Sequence, residues 1–312
     1  MAADEGLYLL SHHLEKNEAK AIIKNEFKIS FEPVKSFEGN IIFIVGESLS
    51  ANHLSLLGYK RETTPLMDAF SKTHDNFFFT RGVSSGVSTD VSVAFMINNT
   101  FGLQGQRDIL QGKKCLFKFA KLGGFETSFF SSQSQQQLRY ITNSLCLGEV
   151  DNYKNLENIQ PELADPNAAD DLKLLGHVEE RIASNKNQFL VLHKRGSHGP
   201  YNLRYPKGSG KFKMVGSFQA DRINHYDNSV VEFDKFMIGL IQKVKKSTKP
   251  TIIIYMSDHG EGLGEEGVWG HAVLKAPSFH IPVLSYFHNT DLRGSFTIMP
   301  THLEVTLFIS KL

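Results

Sequence analysis

The sequence predicts an α/β protein with a three-layer fold, in which a mostly parallel β-sheet carries helices on both faces. Short apolar runs rich in β-branched residues, typical of buried parallel strands, alternate along the chain with longer stretches of helical periodicity. The chain has 312 residues, of which 41% are hydrophobic and 21% are charged. This length and composition are sufficient for one large domain with a substantial core.

The predicted strands share a short apolar run that ends at polar or small residues. In chain order they are Asn40–Val45, Phe125–Phe130, Gln188–Leu192, Thr251–Ser257 and Pro282–Phe287. The second is the weakest because Thr127 and Ser128 interrupt it, and the polar tract Ser131–Gln137 that follows is predicted as a loop. Phe77–Phe79 is predicted as a further buried strand, and contact with lipid is the alternative for this apolar triplet.

Helical periodicity predicts the layers on either side of the sheet. Asp170–Ala183 and Ser217–Val244 carry such patterns between predicted strands. Residues 4–26 form a separate amphipathic pattern. The chain therefore divides into an N-terminal helical segment, residues 1–35, and a main domain, residues 36–312.

Acidic and histidine side chains follow three of the predicted strands. Asp258 and His259 end the fourth strand abruptly. Glu47 follows the first strand, and His193 and His198 follow the third. The carboxyl ends of parallel strands meet at one edge of an open α/β sheet, so these side chains are expected to lie close together. Carboxylate oxygens and imidazole nitrogens suit zinc, and the pattern therefore predicts a zinc site at this edge.

A nucleophile is predicted in the segment Gly82–Met96. Its first half is rich in small and hydroxyl residues, whereas the residues from Asp90 onward have the composition of a buried helix. Ser88 and Thr89 therefore lie at a helix N-terminus, where free amide donors and the helix dipole favour a phosphate and an ionised oxygen. An ordinary N-cap role is the alternative for either hydroxyl. Coordination to zinc would lower the pKa of such a hydroxyl and activate it for attack.

Composition excludes some classes of function but does not decide whether the two cysteines form a disulfide. The net charge of +1 gives no preference for a polyanion, so nucleic-acid binding is not expected. The sequence contains no run of about 18 apolar residues and no charged leader, so as it stands it predicts a soluble chain. Cys115 and Cys146 are either one disulfide of an oxidising compartment or two buried thiols, and they lack the spacing of zinc ligands.

Five motifs, in this order along the chain, resemble a known family. They are VGESLSANHLSLLGYKRETTP around Glu47, SSGVSTDVSV around Thr89, HKRGSHGP around His198, YDNS from Tyr226, and SDHGEGLGEEGVWGH ending at His271. Together they resemble the alkaline phosphatase superfamily and, within it, the phosphoethanolamine transferases that modify bacterial lipopolysaccharide. The motifs extend over most of the chain, and the resemblance implies an alkaline phosphatase-like fold for the main domain.

The same resemblance implies a role for each matching residue. The implied zinc ligands are Glu47, Thr89, Asp258 and His259. Thr89 is also the implied nucleophile, and a second metal beside this tight zinc site is left open. His198 and His271 match histidines that hold the phosphoryl oxygens of the substrate or protonate the departing group. His193 matches a further substrate-binding histidine near that pocket, close to where a second metal would lie.

The reaction implied by the resemblance is a double displacement. Thr89 attacks the phosphorus of phosphatidylethanolamine, phosphoethanolamine remains on the threonine, and an oxygen of lipopolysaccharide, in lipid A or a core sugar, takes it. The resemblance also implies a monomer that works at the membrane surface, on the periplasmic face of the bacterial inner membrane, as part of a longer membrane-anchored protein. The alternatives are a phosphoglycerol transferase, a phosphodiesterase or sulfatase-type hydrolase, and a non-catalytic binding module.

Three departures from the family pattern bear on the acceptor. Relatives that modify lipid A carry cysteines at the positions of Ser85 and Phe95, and a small residue at the position of Asp90. Their substrate-binding lysine has no counterpart in the loop after Phe130. These departures favour a core heptose or another glycan over lipid A as the acceptor.

Overall fold

The described residues all belong to the main domain. A computed structural model describes residues 37–100, 108–109, 111–292 and 299–312. The amphipathic pattern at residues 4–26, and with it the predicted segment 1–35, lies outside the described residues. None of the helices in the described ranges combines the length and the apolar composition that crossing a bilayer requires.

A seven-stranded sheet forms the centre of the molecule. The strands of the described residues, two of which lie outside this sheet, are β1 (Asn40–Gly46), β2 (Phe77–Val83), β3 (Glu126–Ser131), β4 (Asn152–Lys154), β5 (Gln188–His193), β6 (Thr251–Ser257), β7 (Gly262–Leu263), β8 (Trp269–Gly270) and β9 (His280–His288). The sheet has the order β2-β9-β6-β1-β5-β3-β4, and β7 pairs with β8 in a separate hairpin. Within the described sheet, β9 runs in the direction opposite to that of the other six strands. The predicted strands and the mostly parallel sheet are therefore confirmed. The predicted burial of Phe77–Phe79 is wrong for Phe79, which is 38% exposed because β2 lies at the edge of the sheet.

Helices cover both faces of this sheet. They are α1 (Pro65–Ser71), α2 (Thr89–Ile97), α3 (Leu116–Leu122), α4 (Gln135–Leu138), α5 (Leu156–Ile159), α6 (Leu174–Ile182), α7 (Phe218–Val244), α8 (Ala276–Phe279) and α9 (His302–Ile309). Ile42 and Ile44 of β1 share a core with side chains of α1, α6 and α7. Ile41 and Phe43 share a second core with side chains of α2, α3 and α9. Alternate residues of one strand thus enter opposite layers, and the three-layer prediction is confirmed.

The bounds of two elements differ from the sequence prediction. α6 begins at Leu174 rather than near Asp170, because the Asp170 side chain accepts a hydrogen bond from the Leu172 amide and caps a separate 3-10 turn. The tract after β3, predicted as a loop, contains α4, whose first turn is closed by a capping box between Ser134 and Gln137. Polar residues that are common in loops also cap short helices, so composition alone does not separate the two.

The two cysteines form a disulfide bond. Cys115 precedes α3, and Cys146 lies between α4 and β4. Of the two alternatives that the sequence leaves open, the disulfide is the one found in the structure. The bond joins the start of α3 to the loop that leads into β4.

Candidate active site and metal centre

The Glu47 carboxylate is held in place just beyond the end of β1. The residue is 1% exposed. Ser48 Oγ donates to Glu47 Oε1 at 2.8 Å, and Gln133 Nε2 donates to Oε2 at 3.1 Å. Gly196 packs so closely behind it that a Cβ there would lie 2.5 Å from the Glu47 carbonyl oxygen. The sequence therefore needs glycine at this position to bring the loop after β5 against the acid.

Asp258 and His259 follow β6, which pairs with β1 in parallel register, so they lie beside Glu47. Both are fully buried. Asp258 Oδ1 accepts from the backbone amides of Ser48 at 3.0 Å and His259 at 2.7 Å, whereas Oδ2 has no hydrogen-bond partner among the described residues. His259 Nδ1 lies 2.9 Å from the Gly260 carbonyl oxygen. His259 Nε2 therefore faces the acids, at 3.4 Å from Asp258 Oδ2 and 3.5 Å from Glu47 Oε1.

The Thr89 hydroxyl points into this cluster from the first residue of α2. Its Oγ1 lies 3.1 Å and 3.2 Å from the two Glu47 oxygens and 3.4 Å from His259 Nε2. Ser88 occupies the N-cap position, but its side chain makes no capping bond. It donates instead to Asp90 Oδ1 at 2.6 Å, and Asp90 is exposed. The extra charge at residue 90 therefore faces solvent rather than the site.

The electrostatics of the cluster favour a cation. Burial and the charge of Glu47 raise the pKa of Asp258 to about 7. Burial alone would lower the pKa of His259, but the charges of Asp258 and Glu47 outweigh it and raise this pKa to about 10. Burial opposes ionisation of Glu47 as well, yet its hydrogen bond to His259 and the charge of that imidazole hold the Glu47 pKa well below its ordinary value. Two buried acids thus compete for the positive charge of one imidazole.

The donor set fits a zinc ion. The ligand atoms of Glu47, Asp258 and His259 lie within 4.8 Å of one another. Thr89 adds a hydroxyl oxygen to the two carboxylates and the imidazole, which gives a four-coordinate set of types that zinc accepts. The unpartnered Oδ2 of Asp258 is buried in the middle of this set, where a cation would satisfy it.

Two further histidines line the open side of the cluster. The rings of His271 and His259 have centroids 4.3 Å apart, and the rings of His271 and His198 have centroids 5.6 Å apart. His271 Nδ1 lies 2.7 Å from Glu261 Oε2, and the His271 side chain is 27% exposed. His198 Nδ1 lies 2.6 Å from the Gly199 carbonyl oxygen, and burial lowers the His198 pKa. Both imidazoles are partly accessible and stand beside the predicted zinc ligands.

His193 lies behind the cluster rather than in its opening. The residue is fully buried, and burial lowers its pKa to about 4, so the imidazole is neutral. Its Nδ1 lies 3.1 Å from Ser131 Oγ, and its Nε2 lies 3.4 Å from Gln133 Nε2. Gln133 also donates to Glu47, so His193 supports the carboxylate through one intervening side chain. The sequence predicts a substrate contact for His193, whereas the structure encloses it in protein.

Comparison with known proteins decides the family. A match to the Sulfatase family covers residues 39–301. The chain belongs to the sulfatase family. Among curated proteins, the Kdo(2)-lipid A phosphoethanolamine 7''-transferase of Escherichia coli K12 is 26% identical over 302 residues, which are 93% of this chain and 52% of that protein. The chain thus spans about half the length of the curated relatives it matches.

Solved structures share the fold of this chain. The soluble domain of lipooligosaccharide phosphoethanolamine transferase A from Neisseria meningitidis has a TM-score of 0.71 at 24% identity, covering 90% of both chains. The C-terminal periplasmic domain of EptC from Escherichia coli, crystallised as a complex with Zn, has a TM-score of 0.69 at 22% identity, covering 81% of this chain and 74% of that one. The fold is alkaline phosphatase-like, as the sequence predicts.

Sequence reasoning missed three side chains that shape the site of this sulfatase-family chain. Gln133 supports Glu47, Glu261 engages His271, and the Tyr201 hydroxyl donates to Glu261. Glu261 stands two residues after a predicted zinc ligand, which is a signal that would have identified it. Gln133 lies in a glutamine-rich tract in which nothing separates it from its neighbours.

Proposed function

We propose that this chain is the catalytic domain of a zinc-dependent phosphoethanolamine transferase in which Thr89 carries the transferred group. One observation supports the proposal most strongly. The Thr89 hydroxyl, at a helix N-terminus, lies within 3.4 Å of both the Glu47 carboxylate and His259 Nε2. The names of the relatives supply the transferred group and the donor class, phosphatidylethanolamine.

The proposed zinc ligands are Glu47, Thr89, Asp258 and His259. Zinc bound there supplies positive charge that lowers the pKa of the Thr89 hydroxyl and offsets the charge of the phosphoryl oxygens. The Zn complex of the EptC domain supports this choice of metal. His259, Glu261 and His271 form a second group of ligand atoms within 4.8 Å of one another. This group shares the His259 imidazole with the first, so the two groups are alternative places for one ion.

In the first proposed step, the Thr89 oxygen, which would have lost its proton to solvent when the site is loaded, forms a bond to the phosphorus of phosphatidylethanolamine, and the bond from phosphorus to the diacylglycerol oxygen breaks. The departing oxygen takes a proton from His271. Glu261 accepts from His271 Nδ1 at 2.7 Å, which leaves Nε2 for the reacting groups. The free amides at the start of α2 are donors for the phosphoryl oxygens. His198 gives its Nδ1 proton to the Gly199 carbonyl oxygen, so it becomes a further donor through Nε2 only in its protonated form, which the charge of a bound phosphoryl group favours.

In the second proposed step, an acceptor hydroxyl or phosphate oxygen of lipopolysaccharide bonds to phosphorus, and the bond from phosphorus to the Thr89 oxygen breaks. His271, which gave its proton to the departing oxygen in the first step, takes the proton of the acceptor in the second. His193 is assigned to holding Gln133 behind Glu47 and takes no part in substrate contact. Both steps use one set of side chains, as a double displacement requires.

A lipid donor places this site at a membrane surface, and one exposed loop suits that location. Met214, Val215 and Phe218 are 40%, 69% and 83% exposed. The backbone beneath them is held, because Asp221 accepts from the amides of Val215 at 2.6 Å and Gly216 at 3.0 Å. A fixed loop with apolar side chains facing outward is typical of a surface that contacts lipid.

The same loop lies near the reactive histidines. Arg222, one turn beyond Phe218 on α7, lies 5.3 Å from the ring of Trp269, which precedes His271 by two residues.

A periplasmic location is part of the proposal. The disulfide between Cys115 and Cys146 supports it, because paired cysteines persist in oxidising compartments.

Labelled phosphatidylethanolamine tests the proposal. Incubated with the purified chain and lipopolysaccharide, it should yield labelled lipopolysaccharide, and mass spectrometry of the product assigns the label to lipid A or core sugar. Thr89→Ala should abolish transfer and Thr89→Ser should retain part of it. Free phosphoethanolamine as the main product would indicate a hydrolase, and preference for phosphatidylglycerol would indicate a phosphoglycerol transferase. Either result would contradict the proposal.

A further inference from the structure

A cavity of about 710 Å³ lies beside the zinc site and is used by none of the steps above. Lys194 and Gly196, from the loop after β5, form part of its wall. Gly196 also packs against the backbone of Glu47. Arg204 and Tyr205, with His225 of α7, contribute to the remainder of the wall. Gly196 thus lines the cavity and also contacts Glu47.

Arg204 in this wall is a buried cation that lacks a partner. The residue is 7% exposed, and its Nε, Nη1 and Nη2 have no hydrogen-bond partner within the described part of the chain. Burial and the charge of the neighbouring Arg195 lower the Arg204 pKa to about 10, so the guanidinium stays charged at neutral pH. An unpaired charge in a protein interior is strongly unfavourable, and an anion beside it removes that penalty.

The acids around the cavity are already engaged and do not neutralise this guanidinium. Asp171 Oδ1 accepts from the Arg195 amide at 2.8 Å. Asp171 Oδ2 accepts from the Gly196 amide at 3.0 Å and pairs with Lys194 Nζ at 3.0 Å. Glu232 pairs at 2.7 Å with a lysine of its own helix. The wall has as many acids as bases, but none of its acids hydrogen-bonds the Arg204 guanidinium.

We propose that this cavity, the Arg204 pocket, binds a phosphate group carried by the sugar acceptor. The pocket is defined by Asp171, Lys194, Arg204, Tyr205 and His225. A planar guanidinium offers paired donors that match two phosphate oxygens. The Tyr205 hydroxyl and His225 Nδ1, 2.6 Å apart, add hydrogen-bonding groups suited to sugar hydroxyls. The identity of the ligand as acceptor rests on the proposed transferase function, whereas the phosphate site itself does not.

Calorimetric titration of the zinc-loaded chain with inorganic phosphate and with glucose 6-phosphate tests the pocket. We expect two sites, one lost on zinc chelation and the other weakened about tenfold or more by Arg204→Met. Because an apolar side chain replaces an unpaired buried charge, Arg204→Met should fold. Arg204→Lys, which keeps the charge without the paired donors, should lose part of the affinity. Lys118→Met, a matched loss of charge at an exposed position of α3 outside the cavity lining, should bind as the parent does.

Several results would overturn the proposal. Unchanged phosphate binding in Arg204→Met, or loss of every site on chelation, would remove the pocket as a phosphate site. Tighter binding of glycerophosphoethanolamine than of glucose 6-phosphate would assign it to a phospholipid headgroup and contradict the acceptor role.

Steady-state kinetics separate this proposal from the proposed function. Arg204→Met should raise KM for a phosphorylated acceptor about tenfold and leave the loading of Thr89 by the donor unchanged. Loading that fails in the parent chain would contradict the transferase function, while the phosphate titration would still decide the pocket. A KM for the acceptor that does not change would contradict the acceptor role alone.

Discussion

Asp258 and Glu47 are two buried carboxylates that face each other across one imidazole. Burial and the charge of Glu47 raise the pKa of Asp258 to about 7, so the metal-free site retains a proton on this carboxyl near neutral pH. Zinc has to displace that proton and also the imidazolium proton of His259, whose pKa is raised to about 10. Zinc binding is therefore coupled to proton release, and it should weaken as the pH falls below about 10 and more steeply below about 7. The proposed activation of the Thr89 hydroxyl therefore depends on these protons having been displaced.

Gln133 is the neighbour of the metal site whose removal is most informative. Its Nε2 donates to Glu47 Oε2 at 3.1 Å and to the Lys194 carbonyl oxygen at 3.2 Å. Gln133→Ala should raise the zinc Kd about 10- to 100-fold, because partners of metal ligands fix the orientation of those ligands. Competition with a fluorescent chelator measures this Kd. Gln136→Ala, in the same tract but exposed, is the matched control, and an equal effect in both variants would contradict the role of Gln133.

Which site residues the sequence reveals depends on where they stand relative to regular elements. Glu47, Asp258 and His259 were predictable because each ends a readable apolar strand, and Thr89 because it begins a buried helix. Gln133 was not, since an amide in a polar tract has no periodic signature. The enclosed position of His193 was also beyond the sequence, because a histidine after a strand reads the same whether its ring points toward solvent or into protein.

At the scale of elements, His53 joins three parts of the chain around the site. It lies in the 3-10 turn after β1, its Nδ1 is 2.7 Å from Asp227 Oδ1 on α7, and its Nε2 is 3.1 Å from Glu265 Oε1 in the turn after β7. Arg61 Nη1 also pairs with Asp227 Oδ2 at 2.7 Å. His53, Arg61, Asp227 and Glu265 belong to the sequence motifs but are not proposed zinc ligands. Their ion pairs connect the elements around the proposed site.

The stabilisation supplied by His53 should depend on pH. Burial lowers the pKa of His53, but hydrogen bonds to Asp227 and Glu265 outweigh burial and raise it above 6.5. Because the pKa of His53 is higher in the folded state than in the unfolded state, its contribution to the free energy of unfolding is complete below pH 6.5. This contribution is lost as the pH rises through the folded-state pKa. His53→Gln should lower the free energy of unfolding by about 3 kcal/mol at pH below 6.5, and by less at alkaline pH.

Urea unfolding at a series of pH values measures this difference between the parent and His53→Gln. His74→Gln is the matched control, because His74 stacks on Phe70 and hydrogen-bonds Thr73 rather than an acid. A difference that grows toward alkaline pH would contradict the raised pKa of His53.

The sequence predicted most elements but not how all of them are arranged. The apolar run of β9 reads as a buried strand, yet its antiparallel direction depends on the path of the chain between β6 and β9, which local composition does not encode. The disulfide could not be predicted from local composition either, because the two cysteines pair only if the fold brings α3 beside the loop after α4. Local patterns identify elements, whereas direction and pairing are decided by tertiary packing.

In the molecule as a whole, the proposed zinc ligands join the ends of β1 and β6 to the start of α2. Removal of zinc by a chelator should lower the stability by about 4 kcal/mol when the free zinc had been a thousand times its Kd. Asp258→Asn should behave in the opposite way. Without zinc it relieves the repulsion between two buried acids and should melt at a higher temperature than the parent, and added zinc should stabilise it much less.

Differential scanning calorimetry with and without zinc compares the two proteins. The expected result is a crossing, in which the parent is the more stable protein with zinc and Asp258→Asn is the more stable one without it. Equal zinc stabilisation of both would show that Asp258 is not a ligand.

Tandem mass spectrometry of the purified chain, exposed to phosphatidylethanolamine without acceptor, tests the role of Thr89 most directly. The proposed mechanism predicts that the fragment containing Thr89 gains the mass of one phosphoethanolamine group, that lipopolysaccharide removes it, and that Thr89→Ala shows none. A modified residue other than Thr89, or turnover that persists in Thr89→Ala, would contradict it.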